Sequence, residues 1–231
     1  MKLAILSDIH GNYSAFMEVI TVCQKYNIEK LLLLGDQVGY YYESEKIYNE
    51  LMSWNYIAIR GNHEDILLDY INRDDEFRNR IDKKYGSSIK WLISNKKIIE
   101  ITQNLPSIDS IKIDNLNILI CHGSRTDSGK YLYPTENKEI LDVELDEQYD
   151  FIFIGHSHYP FIYSNGKSTL INVGSVGQNR VVGGVANWGI LDTSNRVFSP
   201  MSTPYDTFQL IEMAKKNDPD IEYLQEILKR K

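Results

Sequence analysis

The sequence predicts an α/β fold in which two β-sheets pack face to face with helices outside them. In the first half of the chain, short continuous apolar segments alternate with amphipathic helical segments, which is typical of parallel strands buried on both faces. The second half is rich in strand patterns. Polar residues, including every histidine, follow several of the predicted strands. These three features predict a sandwich with a functional site at the strand ends.

The first half contains the predicted parallel strands. Three strands are expected at Leu3–Leu6, Leu31–Leu34 and Tyr56–Ile59, with helices over Ala15–Tyr26 and about Ser44–Trp54 between them. A helical insertion is predicted over about residues 64–103, because charged residues there alternate with apolar ones at helical spacing.

Six further strands are predicted in the second half, and a helical tail over about residues 205–231 follows them. Asp114-Asn115 indicates a hairpin turn between the first two of these strands. We find no repeat, low-complexity tract or linker, so we expect a single domain over residues 1–231. The six strands are Ser107–Ile113, Leu116–Cys121, Phe151–Ile154, Phe161–Tyr163, Ser168–Val173 and Trp188–Leu191.

Composition excludes several classes of protein. The net charge of −7 argues against a broad nucleic-acid-binding surface. No apolar run approaches the ~20 residues that span a bilayer, so we expect no membrane association. The N-terminus is too short in apolar residues for a signal peptide, and Cys23 and Cys121 are too few for a disulfide framework, so we expect a cytoplasmic protein. The sequence leaves open whether copies of the chain form a homo-oligomer.

All five histidines lie in short polar motifs that follow apolar segments. The carboxyl ends of strands in α/β sheets form the crevices in which sites are built. Residues separated by one position lie on the same face of an extended chain, so each His-x-His or Asp-x-His motif can direct both side chains to one site. Imidazole and carboxylate are ligands of divalent transition metals. The motifs are Asp8-Ile9-His10, Gly35-Asp36, Gly61-Asn62-His63-Glu64, His122-Gly123 and Gly155-His156-Ser157-His158.

In this order the motifs resemble those of the calcineurin-like metallophosphoesterases. The resemblance spans residues 8–158 and implies a four-layer α/β/β/α sandwich of two packed mixed sheets flanked by helices. It also implies two divalent ions, for which the donor types suit manganese, iron, zinc or nickel. The first ion is expected to take Asp8, His10, Asp36 and His158. The second is expected to take Asp36, Asn62, His122 and His156, with Asp36 bridging.

The same resemblance implies a metal-dependent phosphohydrolase. Two cations ~3.5–4 Å apart clamp a phosphoryl group and share the hydroxide that attacks it. We expect Asp36 and His63 to be catalytic, because His63 matches the histidine near the leaving-group oxygen, where it can donate to the phosphate and protonate the departing alkoxide. A role for His63 in orienting its neighbours is the alternative.

The substrate is expected to be a small phosphate ester. His122-Gly123-Ser124 with Tyr131-Leu132, and the segment Asn172–Arg180, resemble the small bacterial and archaeal phosphodiesterase-like branch. This predicts hydrolysis of phosphodiesters or small nucleotides. A Ser/Thr protein phosphatase and a non-catalytic metal-binding scaffold are the alternatives. We select Arg125, Arg180 and Tyr41 as substrate contacts, because guanidinium binds phosphate and tyrosine stacks on bases; surface ion pairs and ordinary tyrosine packing compete with these roles.

Overall fold

The computed structural model describes all 231 residues and contains two five-stranded sheets. The ten strands are β1 (Lys2–Leu6), β2 (Lys30–Leu33), β3 (Tyr56–Ala58), β4 (Ile108–Ile113), β5 (Leu116–Cys121), β6 (Phe151–Ile154), β7 (Phe161–Ser164), β8 (Thr169–Asn172), β9 (Val185–Asp192) and β10 (Val197–Pro204).

Both sheets mix parallel and antiparallel pairs. The first has the order β10-β9-β1-β2-β3, in which β1, β2 and β3 are parallel and β9 runs antiparallel to β1 and to β10. The second has the order β4-β5-β6-β8-β7, with parallel pairs in its centre and antiparallel pairs at both edges. The predicted turn at Asp114-Asn115 joins β4 and β5, since Ile113 pairs with Leu116. The mixed sheets of the α/β prediction are confirmed.

The helices lie mainly in three stretches of the chain. Four of them occupy residues 62–104, where the helical insertion is predicted, and the last two lie in the predicted tail. They are α1 (Tyr13–Lys25), α2 (Ser44–Leu51), α3 (Asn62–Asn72), α4 (Asp75–Tyr85), α5 (Ser88–Leu92), α6 (Lys96–Asn104), α7 (Lys138–Glu144), α8 (Phe208–Asn217) and α9 (Tyr223–Glu226), which continues into a 3-10 turn at Ile227–Lys229.

Alternating residues of the strands build the layers of the sandwich. In β1, Leu3 and Ile5 pack in a cluster between the sheets, whereas Ala4 and Leu6 pack against the helices of the first sheet. In β5, Ile118 and Ile120 join the cluster between the sheets, and the intervening Leu119 belongs to a cluster on the other face. Each such aliphatic side chain contributes roughly 1.5–3 kcal/mol on full burial. Because both faces of each sheet are covered, the predicted order of layers is confirmed.

Two elements were not predicted from the sequence. Strand β10 is an edge strand and is mostly exposed, so it lacks a buried alternating pattern, and its Pro200 is tolerated only because the strand lies at an edge. Helix α7 has only seven residues, too few for a clear helical period. None of the helices combines the length and apolar character that a membrane-spanning helix needs.

Candidate active site

The loops that follow the central strands meet at one edge of the sandwich. The backbone N–H of Asp8, after β1, donates to the carbonyl of Gly35, after β2, at 3.1 Å, and the N–H of His10 donates to the carbonyl of Asp36 at 2.9 Å. The N–H of His156, after β6 in the other sheet, donates to Oδ2 of Asp8 at 3.0 Å. These contacts bring the polar motifs of both sheets into one buried cluster.

One group of side chains contains Asp8, His10 and His158, all buried. The Nε2 atom of His158 lies 3.1 Å from Oδ1 of Asp8 and 3.1 Å from Nε2 of His10. Three donor atoms therefore converge at the first position predicted for a metal ion.

A second group contains Asp36, Asn62, His122 and His156. The Nε2 atom of His122 lies 3.2 Å from Oδ2 of Asp36 and 3.1 Å from Oδ1 of Asn62. The rings of His122 and His156 are 4.9 Å apart between centroids, and donor atoms of Asp36, His122 and His156 lie within 4.8 Å of one another. These are the four residues predicted for the second ion.

Asp36 lies between the two groups. Its Oδ2 atom, 3.2 Å from Nε2 of His122, is 3.7 Å from Nε2 of His10 in the first group. Its Oδ1 atom accepts a hydrogen bond from the backbone N–H of His63 at 2.8 Å. One carboxylate oxygen is thus directed to both groups while the other holds the start of α3.

Hydrogen bonds to carbonyl oxygens orient the histidine rings. A carbonyl can only accept, so the ring nitrogen beside it must carry a proton, and the other nitrogen is the one that can bind a metal ion. Such outer contacts are typical of histidines that bind metals. The Nδ1 atoms of His10, His122 and His158 lie 3.2, 2.7 and 2.6 Å from the carbonyl oxygens of Val38, Leu34 and Gln178, respectively.

His156 has the opposite ring orientation. Its Nε2 atom lies 3.1 Å from the carbonyl oxygen of Gly129, which leaves Nδ1 unprotonated. The unprotonated nitrogen of His156 can therefore serve as a ligand together with Asp36 and His122, whose donor atoms lie close to it.

One oxygen of Asp8 is unpaired, and this indicates whether these residues fit metal ions. Oδ2 of Asp8 accepts from the hydroxyl of Ser7 at 2.6 Å and from the N–H of His156, whereas Oδ1 is buried without a hydrogen-bond partner. A buried carboxylate oxygen left unpaired is costly. This oxygen lies beside Nε2 of His158, and the imidazole, carboxylate and amide donors are those that divalent transition metals take. The residues fit such ions.

The charges of the cluster also favour a cation. Burial raises the pKa of Asp36, but the charges of His122 and His63 outweigh burial and hold the pKa well below its ordinary value. Burial lowers the pKa of His122, but Asp36 outweighs it and raises the pKa to about 10. The ionised carboxylates therefore attract a proton to His122, and binding of a metal ion there would release that proton.

Five of the predicted ligands have left-handed backbone conformations. Their φ angles lie between 51° and 63°, in a region that residues other than glycine rarely adopt. Strained backbone of this kind is concentrated at functional sites. The residues are Asp8, His10, Asp36, His156 and His158.

His63 lies beside the ligands. Its ring is 4.7 Å from that of His10 between centroids, and its Nδ1 atom is buried without a hydrogen-bond partner. Gly39, with φ of +93°, makes room for it, because a Cβ there would lie 2.1 Å from Nδ1 of His63. Burial lowers the pKa of His63 to about 4, although Asp36 opposes the shift, so the ring is neutral at pH 7.

Glu64 has a role that the sequence analysis missed. It is fully buried, and its carboxylate accepts four backbone hydrogen bonds, from Asp36, Gln37, Val38 and Gly61, at 2.7 to 3.1 Å. It therefore connects the loop after β2 to the start of α3. Its position directly after His63 in the sequence was the available signal of a role at the site, but that position alone does not show that the carboxylate binds backbone N–H groups.

The cleft above the ligands is walled by aromatic rings and one arginine. Tyr40, Tyr85, Tyr131 and Arg180 line it together with His10, Asp36, Asn62, His63, His156 and His158. Tyr131 lies on the ring of His156, with 4.0 Å between centroids, and the guanidinium of Arg180 lies 5.8 Å from the centre of the Tyr131 ring. Arg180 thus lines the cleft, and its contact with phosphate stays a prediction.

Two predicted substrate contacts lie elsewhere. Tyr41 is fully buried and its hydroxyl donates to the carbonyl of Leu224 at 3.1 Å, so the prediction for Tyr41 is wrong; its neighbour Tyr40 lines the cleft. Arg125 pairs with Asp146 at 2.6 Å and lies outside the cleft, so its predicted phosphate contact is also wrong. Tyr85, on α4, was not predicted, because nothing near it in the sequence signals a site.

Comparisons with known proteins extend these observations. The uncharacterized protein MJ0912 of Methanocaldococcus jannaschii is 29% identical over 93% of this chain and 92% of its own. The crystal structure of the hypothetical protein PH1004 from Pyrococcus horikoshii has the same fold, with a TM-score of 0.82, 19% identity, and coverage of 99% of this chain and 98% of its own. A metallophosphoesterase from Sphaerobacter thermophilus aligns with a TM-score of 0.78, 19% identity and the same coverage.

The family itself follows from the sequence match and agrees with the motifs. Residues 1–196 match the family model of the calcineurin-like phosphoesterase superfamily domain, a region that includes every residue of the two ligand groups. The resemblance stated from the sequence is therefore confirmed, and this chain belongs to the calcineurin-like phosphoesterase superfamily.

Proposed function

We propose that the protein is a metal-dependent phosphoesterase that uses two divalent ions to hydrolyse phosphodiesters or small nucleotides in the cytoplasm. The observation that supports it most directly is the position of Asp36, one oxygen of which lies 3.2 Å from His122 and 3.7 Å from His10. A carboxylate directed to two groups of nitrogen and oxygen donors is suited to bridging two cations.

Seven side chains would hold the ions. We assign Asp8, His10, Asp36 and His158 to one ion, and Asp36, Asn62, His122 and His156 to the other. When bound, two such ions polarise a phosphoryl group and lower the pKa of a water molecule that attacks it. The donor types are compatible with manganese, iron, zinc and nickel.

The chain's own residues would orient and stabilise the reacting group. Hydrolysis joins a water oxygen to phosphorus, breaks the bond from phosphorus to the leaving oxygen, and leaves that oxygen with a proton. His63 lines the cleft beside Asp36 and His10 and is neutral, so its ring can donate a hydrogen bond to an oxygen of the phosphoryl group. Arg180, at the rim of the same cleft, can bind a second phosphate oxygen.

The shape of the cleft supports a small ester over a phosphoprotein. Tyr40, Tyr85 and Tyr131 stand around the ligands, and Tyr85 comes from the helices of residues 62–104. These rings restrict access to the ligand groups, so a narrow substrate reaches those groups more easily than a folded protein surface does.

The experiment is a panel assay of the purified chain with manganese. A bis-aryl phosphodiester, nucleotides, dinucleoside polyphosphates and a phosphopeptide are compared by kcat/KM. We expect diesters or nucleotides to be the best substrates. A kcat/KM for phosphopeptide well above that of every diester and nucleotide would favour a Ser/Thr protein phosphatase. Two bound metals with no hydrolysis of any ester would favour a non-catalytic scaffold.

A further inference from the structure

A groove of about 460 Å³ adjoins the cleft over the ligand groups. Its side chains include Tyr133, Tyr159, Arg180, Tyr223 and Arg230, and we call it the Tyr/Arg groove. Arg180 also lines the cleft, so the two spaces meet at this residue. A molecule whose phosphate lies at the ligand groups can therefore extend past Arg180 into the Tyr/Arg groove.

The two arginines of the groove are free of carboxylates. Neither Arg180 nor Arg230 forms an ion pair, whereas Arg60, Arg125 and Arg196 each pair with an aspartate. Nε of Arg180 is buried without a hydrogen-bond partner. Arg230 donates to the carbonyl oxygen of Arg180 at 2.6 Å, which places the two residues side by side. In a chain of net charge −7, this is a local site for an anion.

Three tyrosine rings line the groove together with Pro134 and Thr135. The rings of Tyr133 and Tyr159 are 5.7 Å apart between centroids, and Tyr131 lies parallel to Tyr133 at 6.0 Å, where it also overlies His156 of the ligand cluster. Tyr131 and Tyr223 are 43% and 37% exposed, so part of each side chain is accessible to a ligand. Exposed aromatic rings beside arginines suit a planar base that carries phosphate.

We propose that the Tyr/Arg groove binds the nucleoside and an additional phosphoryl group of the substrate. This proposal rests on the function proposed above and names its substrate class as nucleotides with two or more phosphoryl groups. One phosphoryl group lies at the ligand groups, the next lies between Arg180 and Arg230, and the base lies among the tyrosines. Neither a simple diester nor a nucleoside monophosphate fills all three positions.

Equilibrium binding in a metal chelator tests the groove independently of turnover. The full chain is titrated with ADP, AMP and pyrophosphate by calorimetry. Without metal the ligand groups do not attract a phosphoryl group, so we expect the wild type to bind ADP and AMP alike and each about tenfold more tightly than pyrophosphate, which lacks the nucleoside. We expect Arg230→Gln to weaken ADP binding about tenfold. Arg80→Gln, which changes an exposed arginine of α4 outside the groove, is the matched control and should not change it.

A second variant tests the contribution of the tyrosine rings to ADP binding. Tyr133→Leu should weaken ADP binding about tenfold and leave pyrophosphate binding unchanged, which also shows that the variant is folded. Equal affinity of the wild type for ADP and pyrophosphate, or equal affinity of Arg230→Gln and Arg80→Gln for ADP, would overturn the proposal.

The two proposals fail in different ways. A chain that hydrolyses a bis-aryl phosphodiester with manganese but shows no preference for ADP over pyrophosphate refutes the groove and keeps the phosphoesterase. A chain that binds ADP as expected but hydrolyses no phosphate ester refutes the phosphoesterase and keeps the groove.

Discussion

The backbone N–H of Asp36 donates to the carboxylate of Glu64 at 2.7 Å. This contact links Asp36, which lies between the two groups of predicted ligands, to the helix that begins at Asn62. The same carboxylate receives three further N–H groups from the loop after β2 and from Gly61. Glu64 thus holds the backbone from Asp36 to Val38 and the backbone of Gly61, which precedes Asn62. It is a positioning residue.

Glu64→Gln tests this positioning role. The amide replaces an acceptor oxygen with an NH₂ group that faces backbone donors, so unfolding free energy should fall by about 1–3 kcal/mol. Metal affinity should fall about 10- to 100-fold, as for other residues that orient ligands. Urea unfolding and metal titration measure the two effects. Glu76→Gln, an exposed change on α4, is the control, and equal behaviour of the two variants would show that Glu64 does not position the site.

Asp36→Asn should remove most of the bound metal and nearly all turnover. The neutral amide keeps the size of the side chain but removes the charge that both ligand groups share. Elemental analysis of the purified protein gives the metal content directly. Asp65→Asn, which changes a half-exposed aspartate paired with Arg60, should keep both ions. Two metals per chain in the Asp36→Asn protein, with normal activity, would remove Asp36 from the centre.

His63→Gln should keep the metal content and lower kcat by about 10²–10⁴-fold. Burial lowers the pKa of His63 to about 4, which favours a neutral ring that donates a hydrogen bond over a proton donor. We therefore expect similar losses for aryl esters of low leaving-group pKa and for alkyl esters. A loss confined to alkyl esters would instead assign protonation of the leaving oxygen to His63, and loss of metal would make its role structural.

Arg180→Gln and Arg125→Gln form a matched pair. Arg180 lies in the cleft, so its loss should lower kcat/KM by about 10- to 100-fold through a missing charge-assisted hydrogen bond. Arg125 is paired with Asp146 outside the cleft, and its loss should change kcat/KM less than about threefold. Steady-state kinetics on one diester compares them. A larger effect at Arg125 would show that Arg125, and not Arg180, contacts the phosphate.

The predicted ligands could be found from the sequence because each is local to a strand end. His156 and His158, for example, follow β6 at a spacing that sends both side chains to one site. The walls of the cleft could not be found in this way. Tyr85 reaches the site through the packing of α4. Tyr40 lines the cleft, whereas the hydroxyl of its neighbour Tyr41 donates to the carbonyl of Leu224, 183 residues away.

The same distinction applies to the fold. The strands between helices have continuous apolar sequences because both faces are covered, so their positions were predictable. The edge strand β10 is paired on one side and largely exposed, and its sequence contains little that distinguishes it from a loop. Residues that contact distant parts of the chain through one polar group, such as the carboxylate of Glu64, likewise have no periodic signature.

The left-handed backbone at five of the ligands sets a trade-off between activity and stability. Each such conformation costs about 1 kcal/mol or more at a residue other than glycine. Glycine would adopt these angles without that cost but would supply no donor atom. A chain selected only for stability would therefore replace Asp8, His10, Asp36, His156 and His158, and directed evolution for heat resistance without an activity screen should deplete the metal centre first.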